Sequence, residues 1–106
     1  MNSSLNKFIL AAQGCEPKYG RRFAFAFGRL ADLLKKKALY EEKDLFNADP
    51  SKVQAVDNDI EEAAEELFWS SYKLARAYGK MSLFPHFEKD VDKLEFVLNL
   101  FPDLRP

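Results

Sequence analysis

The sequence predicts an all-α fold, a small up-and-down bundle of three to four helices with one long central helix at about residues 50–78. Three observations predict it. Apolar residues recur at three- and four-residue spacing along most of the chain, residues that start or stop helices flank these stretches, and the connections between them are short. Short connections between long helices favour antiparallel neighbours. A chain of 106 residues is expected to form one helical domain, 1–106.

The first helix is expected at about residues 4–13. Its apolar face consists of Leu5, Phe8, Ile9 and Ala12. The uninterrupted apolar run is only residues 8–12, whereas the apolar core of a secretory signal has roughly 7–15 residues. We therefore interpret the segment as an amphipathic helix. Gly14, Pro17 and Gly20 predict a turn after it.

The second helix is expected to begin near 18–21 and to end near 42–45. The alternation over residues 23–27 could indicate a strand, but apolar residues continue at helical spacing beyond it. The predicted apolar arc consists of Phe23, Phe27, Leu30, Leu34, Ala24 and Ala31. Gly28 lies inside this helix, where glycine costs about 1 kcal/mol relative to alanine. It is therefore a candidate for a close helix crossing.

The long third helix has the clearest signals. Asp49 can cap it, Pro50 suits its first turn and Gly79 can end it. The buried seam is predicted to consist of Val53, Val56, Ile60, Ala63, Ala64, Leu67, Ser71, Leu74 and Tyr78. At 1.5 Å per residue the helix is about 43 Å long.

The fourth helix is expected at about residues 86–101 and should stop at Pro102. Its predicted core stripe consists of Phe87, Val91, Leu94, Leu98 and Phe101.

Charge is unevenly distributed although the net charge is only −1. Residues 1–43 carry nine Lys/Arg and four Asp/Glu, a net +5, while residues 44–66 carry one Lys and eight Asp/Glu, a net −7. The remaining residues, 67–106, carry six Lys/Arg and five Asp/Glu, a net +1. No apolar run approaches the roughly 20 residues of a membrane span, so no membrane partner is expected. The single cysteine, Cys15, cannot form an internal disulfide, which favours a cytoplasmic location.

The strongest candidate site lies on the polar side of the second helix. Phe25 points about 200° away from Phe23, by helical geometry, and it is flanked by Arg21 and Arg29, with Arg22 at the edge. Arginine and aromatic residues are enriched at protein interfaces. An aromatic residue among arginines can equally stack on bases while the arginines bind phosphate. A third interpretation is that another helix simply covers Phe25.

A second candidate is Trp69, on the polar side of the third helix. Phe96 and Leu100 of the fourth helix also lie opposite the main stripe of their helix. Three helices thus carry large apolar residues on a second side, which suggests either a central helix buried on two sides or a second interface. An antiparallel pairing of helices three and four would put Trp69 level with Phe96 and produce one shared cluster.

The acidic run Asp57, Asp59, Glu61, Glu62, Glu65 and Glu66 could in principle hold a divalent cation. Its Glu62–Glu65 pair resembles the ExxE motif of helical nucleotide pyrophosphohydrolases. That family also has a later ExxD pair, whereas the only ExxD pair of this chain, Glu41–Asp44, comes earlier. A hairpin turning near residue 48 would instead place the lysines of residues 35–37 opposite 60–62. The favoured interpretation is mutual neutralisation, with no metal and no cofactor.

The sequence contains no phosphate-binding loop, dinucleotide glycine motif, HExxH motif or CxxC pair. His86 has only Asp90 nearby as a possible partner for acid–base chemistry. We therefore predict a non-catalytic helical interaction protein, an accessory subunit, adaptor or regulator that binds a protein and can self-associate. The residues expected to contact the partner are Arg21, Arg22, Phe25, Arg29 and Trp69. The alternatives are a nucleic-acid-binding accessory domain and, less favoured, a carboxylate metal-dependent hydrolase.

Overall fold

The computed structural model describes residues 3–15, 17–42, 50–77 and 92–105. These ranges contain four α-helices, α1 (Ser3–Cys15), α2 (Pro17–Glu42), α3 (Pro50–Ala77) and α4 (Lys93–Leu100), followed by a 3₁₀ turn at Pro102–Leu104. The predicted all-α bundle with a long central helix is confirmed. Within the described ranges, no helix is both long and apolar enough to cross a bilayer.

The boundaries of α1, α2 and α3 agree with the sequence to within a few residues. The fourth helix was predicted to run through residue 92, and this is wrong, because Asp92 has an extended backbone and α4 begins at Lys93. Pro17 is the first residue of α2, where its missing N–H and restricted φ are tolerated. Gly14 and Gly20 lie inside helices rather than in the predicted turn. The expected cap Asp49 and stop Gly79 lie outside the described residues, as does the first part of the predicted fourth helix.

The core is formed by the predicted seam of α3 together with one face of α2. Val56, Ile60, Leu67 and Leu74 are buried, as are both alanines of the seam, and Ser71 is completely inaccessible. On α2 the buried set is Gly20, Phe23, Ala26 and Leu30. Ala24, predicted for the core, is exposed. Ala26 is buried instead. The reason is that α2 packs against both α1 and α3, so the buried side of α2 is wider than predicted and centred on different residues.

Helices α2 and α3 share the most extensive interface and run antiparallel. Lys37 Nζ lies 2.8 Å from Asp57 Oδ1, and further along the pair Arg29 Nη1 lies 3.3 Å from Glu62 Oε1. The predicted neutralisation is confirmed for Lys37, but the predicted register, with Lys35 opposite Glu62, is wrong. The predicted register followed from the assumption that the hairpin turns symmetrically at residue 48. In the structure, burial of the apolar faces of α2 and α3 determines which positions meet.

Helix α4 packs against α3 and α1, and the 3₁₀ turn after it packs against α2. Asp92 caps α4, because its Oδ1 accepts from the backbone N–H of Glu95 at 3.0 Å. Pro102 prevents the helix from continuing. Phe101 then packs between Phe23 and Phe27 of α2, with ring centroids 5.4 and 5.6 Å away.

The buried side of α4 differs from the predicted stripe. Val97 and Leu100 are buried, whereas Leu94 and Leu98 are only partly buried. Leu100 was expected on the second side, but it lies in the core, where it is 1% exposed, because α4 packs against both α3 and α1. The carbonyl of Leu100 accepts a hydrogen bond from Asn6 of α1 at 2.6 Å, which ties the two ends of the described chain together.

The close helix crossing is at Gly20, not at Gly28. A Cβ built on Gly20 would overlap the backbone carbonyl of Gln13, so only glycine permits the contact of α1 with α2. A Cβ at Gly28 would have no atom of a neighbouring element within 4 Å.

Candidate functional site

A groove of about 500 Å³, which we call the aromatic groove, lies between α2 and α3. Helix α2 contributes Tyr19, Arg22 and Phe25. Helix α3 contributes Glu62, Glu65, Glu66, Trp69, Ser70 and Lys73. These residues recur at three-residue spacing on α2 and at three- and four-residue spacing on α3, so they form one stripe per helix. Two stripes on neighbouring helices produce a continuous groove.

The aromatic groove unites two of the molecule's exposed large hydrophobic side chains. Phe25 is 69% exposed and Trp69 is 39% exposed. Phe23, only two residues before Phe25, is 3% exposed, as the 200° separation predicts. The two candidate positions singled out on separate helices therefore belong to one surface.

The indole of Trp69 is held in place by aromatic neighbours. Its ring lies 5.4 Å from Phe68 and 5.6 Å from Tyr72, both in edge-to-face geometry. Phe68 in turn packs against Phe96 of α4 at 5.3 Å. The shared cluster expected between α3 and α4 thus exists, with Phe68 as the residue that joins its two sides. The indole of Trp69 therefore lines the groove in an orientation that its contacts with Phe68 and Tyr72 stabilise.

One end of the aromatic groove is acidic. Its three carboxylates, Glu62, Glu65 and Glu66, are partly balanced by two cations outside the lining. Arg29 Nη1 lies 3.3 Å from Glu62 and 3.9 Å from Glu66, and Lys93 Nζ lies 3.5 Å from Glu65. Three negative charges against two positive charges leave this end with a net charge of −1.

The other end of the aromatic groove is basic. It carries Arg22 and Lys73, and the Lys73 ammonium lies 5.5 Å from the centre of the Tyr19 ring. No carboxylate of the described residues lies within ion-pair distance of either cation. The groove is therefore aromatic at its centre and opposite in charge at its two ends.

The predicted contact residues occupy different places on this surface. Arg22, Phe25 and Trp69 line the aromatic groove together. Arg29 borders the acidic end, where its guanidinium is engaged by two carboxylates. Arg21 is exposed but does not line the groove.

Tyr19, Ser70 and Lys73 line the groove and Lys93 borders it, but none of these residues was among the predicted contacts. Tyr19 precedes Arg22 by three residues and so shares its stripe, a signal that was available. Lys93 lies 5.4 Å from the Trp69 ring centre, but it comes from α4. Only the packing of α4 on α3 brings it there, so no local pattern could have indicated it.

Within the described ranges, no group of three or more His, Cys, Asp or Glu side chains is arranged to hold a metal ion. The acidic run instead supplies partners for cations. Asp57 pairs with Lys37, Glu62 and Glu66 pair with Arg29, and Glu65 pairs with Lys93. Of the neighbouring lysines, Lys36 lies 5.6 Å from the Tyr40 ring. His86 and Asp90 lie outside the described residues.

Comparison of the chain with protein-family models, with curated proteins and with solved structures finds no match.

Proposed function

We propose that this chain is a small non-catalytic helical interaction protein that binds a protein partner through the aromatic groove. The observation that carries the proposal is the joint exposure of Phe25 and Trp69 beside Arg22 in one groove. Tryptophan, tyrosine and arginine are the residue types that most often dominate binding energy at protein interfaces. A partner would remove from water aromatic surface that the bundle leaves exposed.

The charges of the aromatic groove support a protein partner over a nucleic acid. A phosphate backbone requires cations that are free to face it. Three carboxylates line this groove, and Arg29, one of the expected phosphate contacts, is engaged by two of them. A protein surface can present both charges and so match both ends.

Affinity purification from the native host tests this proposal. Three tagged chains are compared, each with and without nuclease: the wild type, Phe25→Ser and Leu39→Ser. Leu39 is a matched control, because it is also an exposed hydrophobic residue of α2, 46% accessible, but lies outside the aromatic groove. We expect the wild type and Leu39→Ser to retain the same protein, including an untagged copy of this chain if that is the partner, and Phe25→Ser to lose it.

Each other outcome contradicts the proposal. Recovery that disappears with nuclease would support the nucleic-acid alternative, and steep weakening with added salt would confirm it. Equal recovery by Phe25→Ser would place the interface elsewhere. No specific protein with the wild type would remove the interaction function.

A further inference from the structure

We propose that the occupant of the aromatic groove is a second copy of this chain, docked antiparallel on the same groove as an isologous dimer. The inference rests on the proposed function, since it specifies the partner of the same surface. The structural argument is the order of charges along the groove, because that order is complementary to itself after a two-fold rotation.

The positions along α3 show this order. At 1.5 Å per residue, Glu66 and Glu62 lie about 4 and 10 Å from Trp69 in one direction, and Lys73 lies about 6 Å away in the other. On α2, Arg22 lies about 4 Å from Phe25 towards the basic end, because the helices are antiparallel. The exposed aromatic pair therefore lies near the middle, between a basic end and an acidic end.

A two-fold axis through this aromatic pair would bring the basic end of each copy onto the acidic end of the other. Isologous contacts of this kind use one patch twice, so each favourable pairing occurs twice. A parallel arrangement would instead place the two ends of net negative charge together and the two basic ends together. The charges thus select the antiparallel orientation, while Phe25 and Trp69 supply the apolar centre that charged rims alone do not provide.

The size of the surface indicates a weak dimer. The groove is about 16 Å long and two helices wide, roughly 20 Å, which gives a footprint on the order of 300–400 Å² per copy. Stable interfaces bury about 800 Å² per partner. We therefore expect a concentration-dependent dimer with a dissociation constant in the micromolar range or above.

Sedimentation of the purified chain over about 5 to 500 µM tests the dimer, since weak complexes dissociate in that range. The average mass should rise from 12.2 kDa towards twice that value. Phe25→Ser should weaken association by roughly tenfold or more, because each dimer loses two central aromatic rings. Leu39→Ser should change it by less than about twofold.

Charge reversal tests the antiparallel orientation. The variant R22E/K73E makes both ends of the groove acidic, and E62K/E66K makes the acidic end basic. Each variant alone should remain monomeric, because like charges meet at both ends. An equimolar mixture of the two should restore association, since opposite charges meet again. Circular dichroism checks that each variant is folded; if E62K/E66K is not, E65K, which spares the contacts of Arg29, replaces it.

Several results would overturn the inference. The wild type could remain monomeric over the whole range, or its dimer could be insensitive to both Phe25→Ser and charge reversal. A dimer whose charge-reversed variants do not recover on mixing would exclude the antiparallel arrangement. A monomeric wild type that still retains a different protein through Phe25 would remove only this inference and leave the proposed function intact.

Discussion

At the scale of single residues, Phe23 and Phe25 show how two neighbours on one helix have opposite roles. Phe23 is buried against Phe101, with ring centroids 5.4 Å apart, while Phe25 faces solvent in the aromatic groove. Truncation of a buried phenylalanine typically costs about 3–5 kcal/mol of unfolding free energy, whereas exposed substitutions stay within about 0.5 kcal/mol. Phe25 can therefore be changed to probe binding without unfolding the bundle.

Among the described residues, Ser71 combines complete burial with a polar side chain that lacks a hydrogen-bond partner. It is completely buried in the seam of α3, and its Oγ has no hydrogen-bond partner among the described residues. A buried hydroxyl without a partner costs about 1–3 kcal/mol. This free-energy cost arises at a position of the α3 seam where the spacing of apolar residues predicts an apolar side chain.

We expect Ser71→Ala to raise the free energy of unfolding by about 1 kcal/mol, as measured by urea denaturation. Ser70→Ala is the matched control, since Ser70 is 6% exposed in the floor of the aromatic groove and the change in helix propensity is the same. The free energy of unfolding should rise more for Ser71→Ala than for Ser70→Ala. A loss of stability at Ser71 alone would mean that its hydroxyl has a partner in a segment outside the described ranges.

At the scale of elements, two glycines of α2 have different relations to α1. Gly20 permits the backbone of α1 to lie directly against α2, because any Cβ there would overlap the Gln13 carbonyl. Gly28 has free space around its Cα and lines a shallow apolar depression with Leu10 and Phe27. Glycine is therefore required by packing at one position and not at the other.

We expect Gly20→Ala to lower the free energy of unfolding by about 1–3 kcal/mol, because the helices must move apart. Gly28→Ala should raise it by about 0.5–1 kcal/mol, since alanine is the better helix former and meets no obstruction. Thermal or urea unfolding of both variants measures the difference. Similar effects of the two substitutions would argue against the close contact at Gly20.

At the scale of the whole molecule, the bundle depends on contacts between its two ends. Phe101 and Leu104 are each only 2% exposed, and Phe101 packs on two phenylalanines of α2. Asn6 of α1 donates to the carbonyl of Leu100 at the same end of the bundle. A few residues after α4 thus complete a core that begins in α1.

Removal of residues 101–106 is expected to unfold much of the bundle. Each of the two buried side chains is worth about 2–5 kcal/mol, and a domain of this size has about 5–15 kcal/mol in total. Near-ultraviolet circular dichroism should lose its aromatic signal, and the melting temperature should fall sharply. Removal of 105–106 alone is the control, because Arg105 is exposed and its contacts with Asn99 and Glu95 lie at the surface. A stable 1–100 fragment would contradict this account.

Local patterns were sufficient for the helical part of this description. The spacing of apolar residues predicted α3 as 50–78, and it ends at Ala77; the same spacing separated Phe25 from Phe23. These features depend on residues within one or two turns, and 3.6-residue periodicity determines them. Residue type together with helical position selected Arg22 and Trp69 as two separate candidate contact residues, one on each helix.

Tertiary structure decided which of these residues meet. It joined Phe25 and Trp69 in one groove, paired Arg29 rather than Lys35 with Glu62, and brought Lys93 over the indole. It also placed Leu100 in the core, against the local pattern of α4. The physical reason is that register and crossing depend on burying the apolar faces of distant segments together. Local sequence pattern was enough to predict the helices and the side of each helix on which Phe25 and Trp69 lie, whereas packing left these two residues exposed and brought them together in one groove.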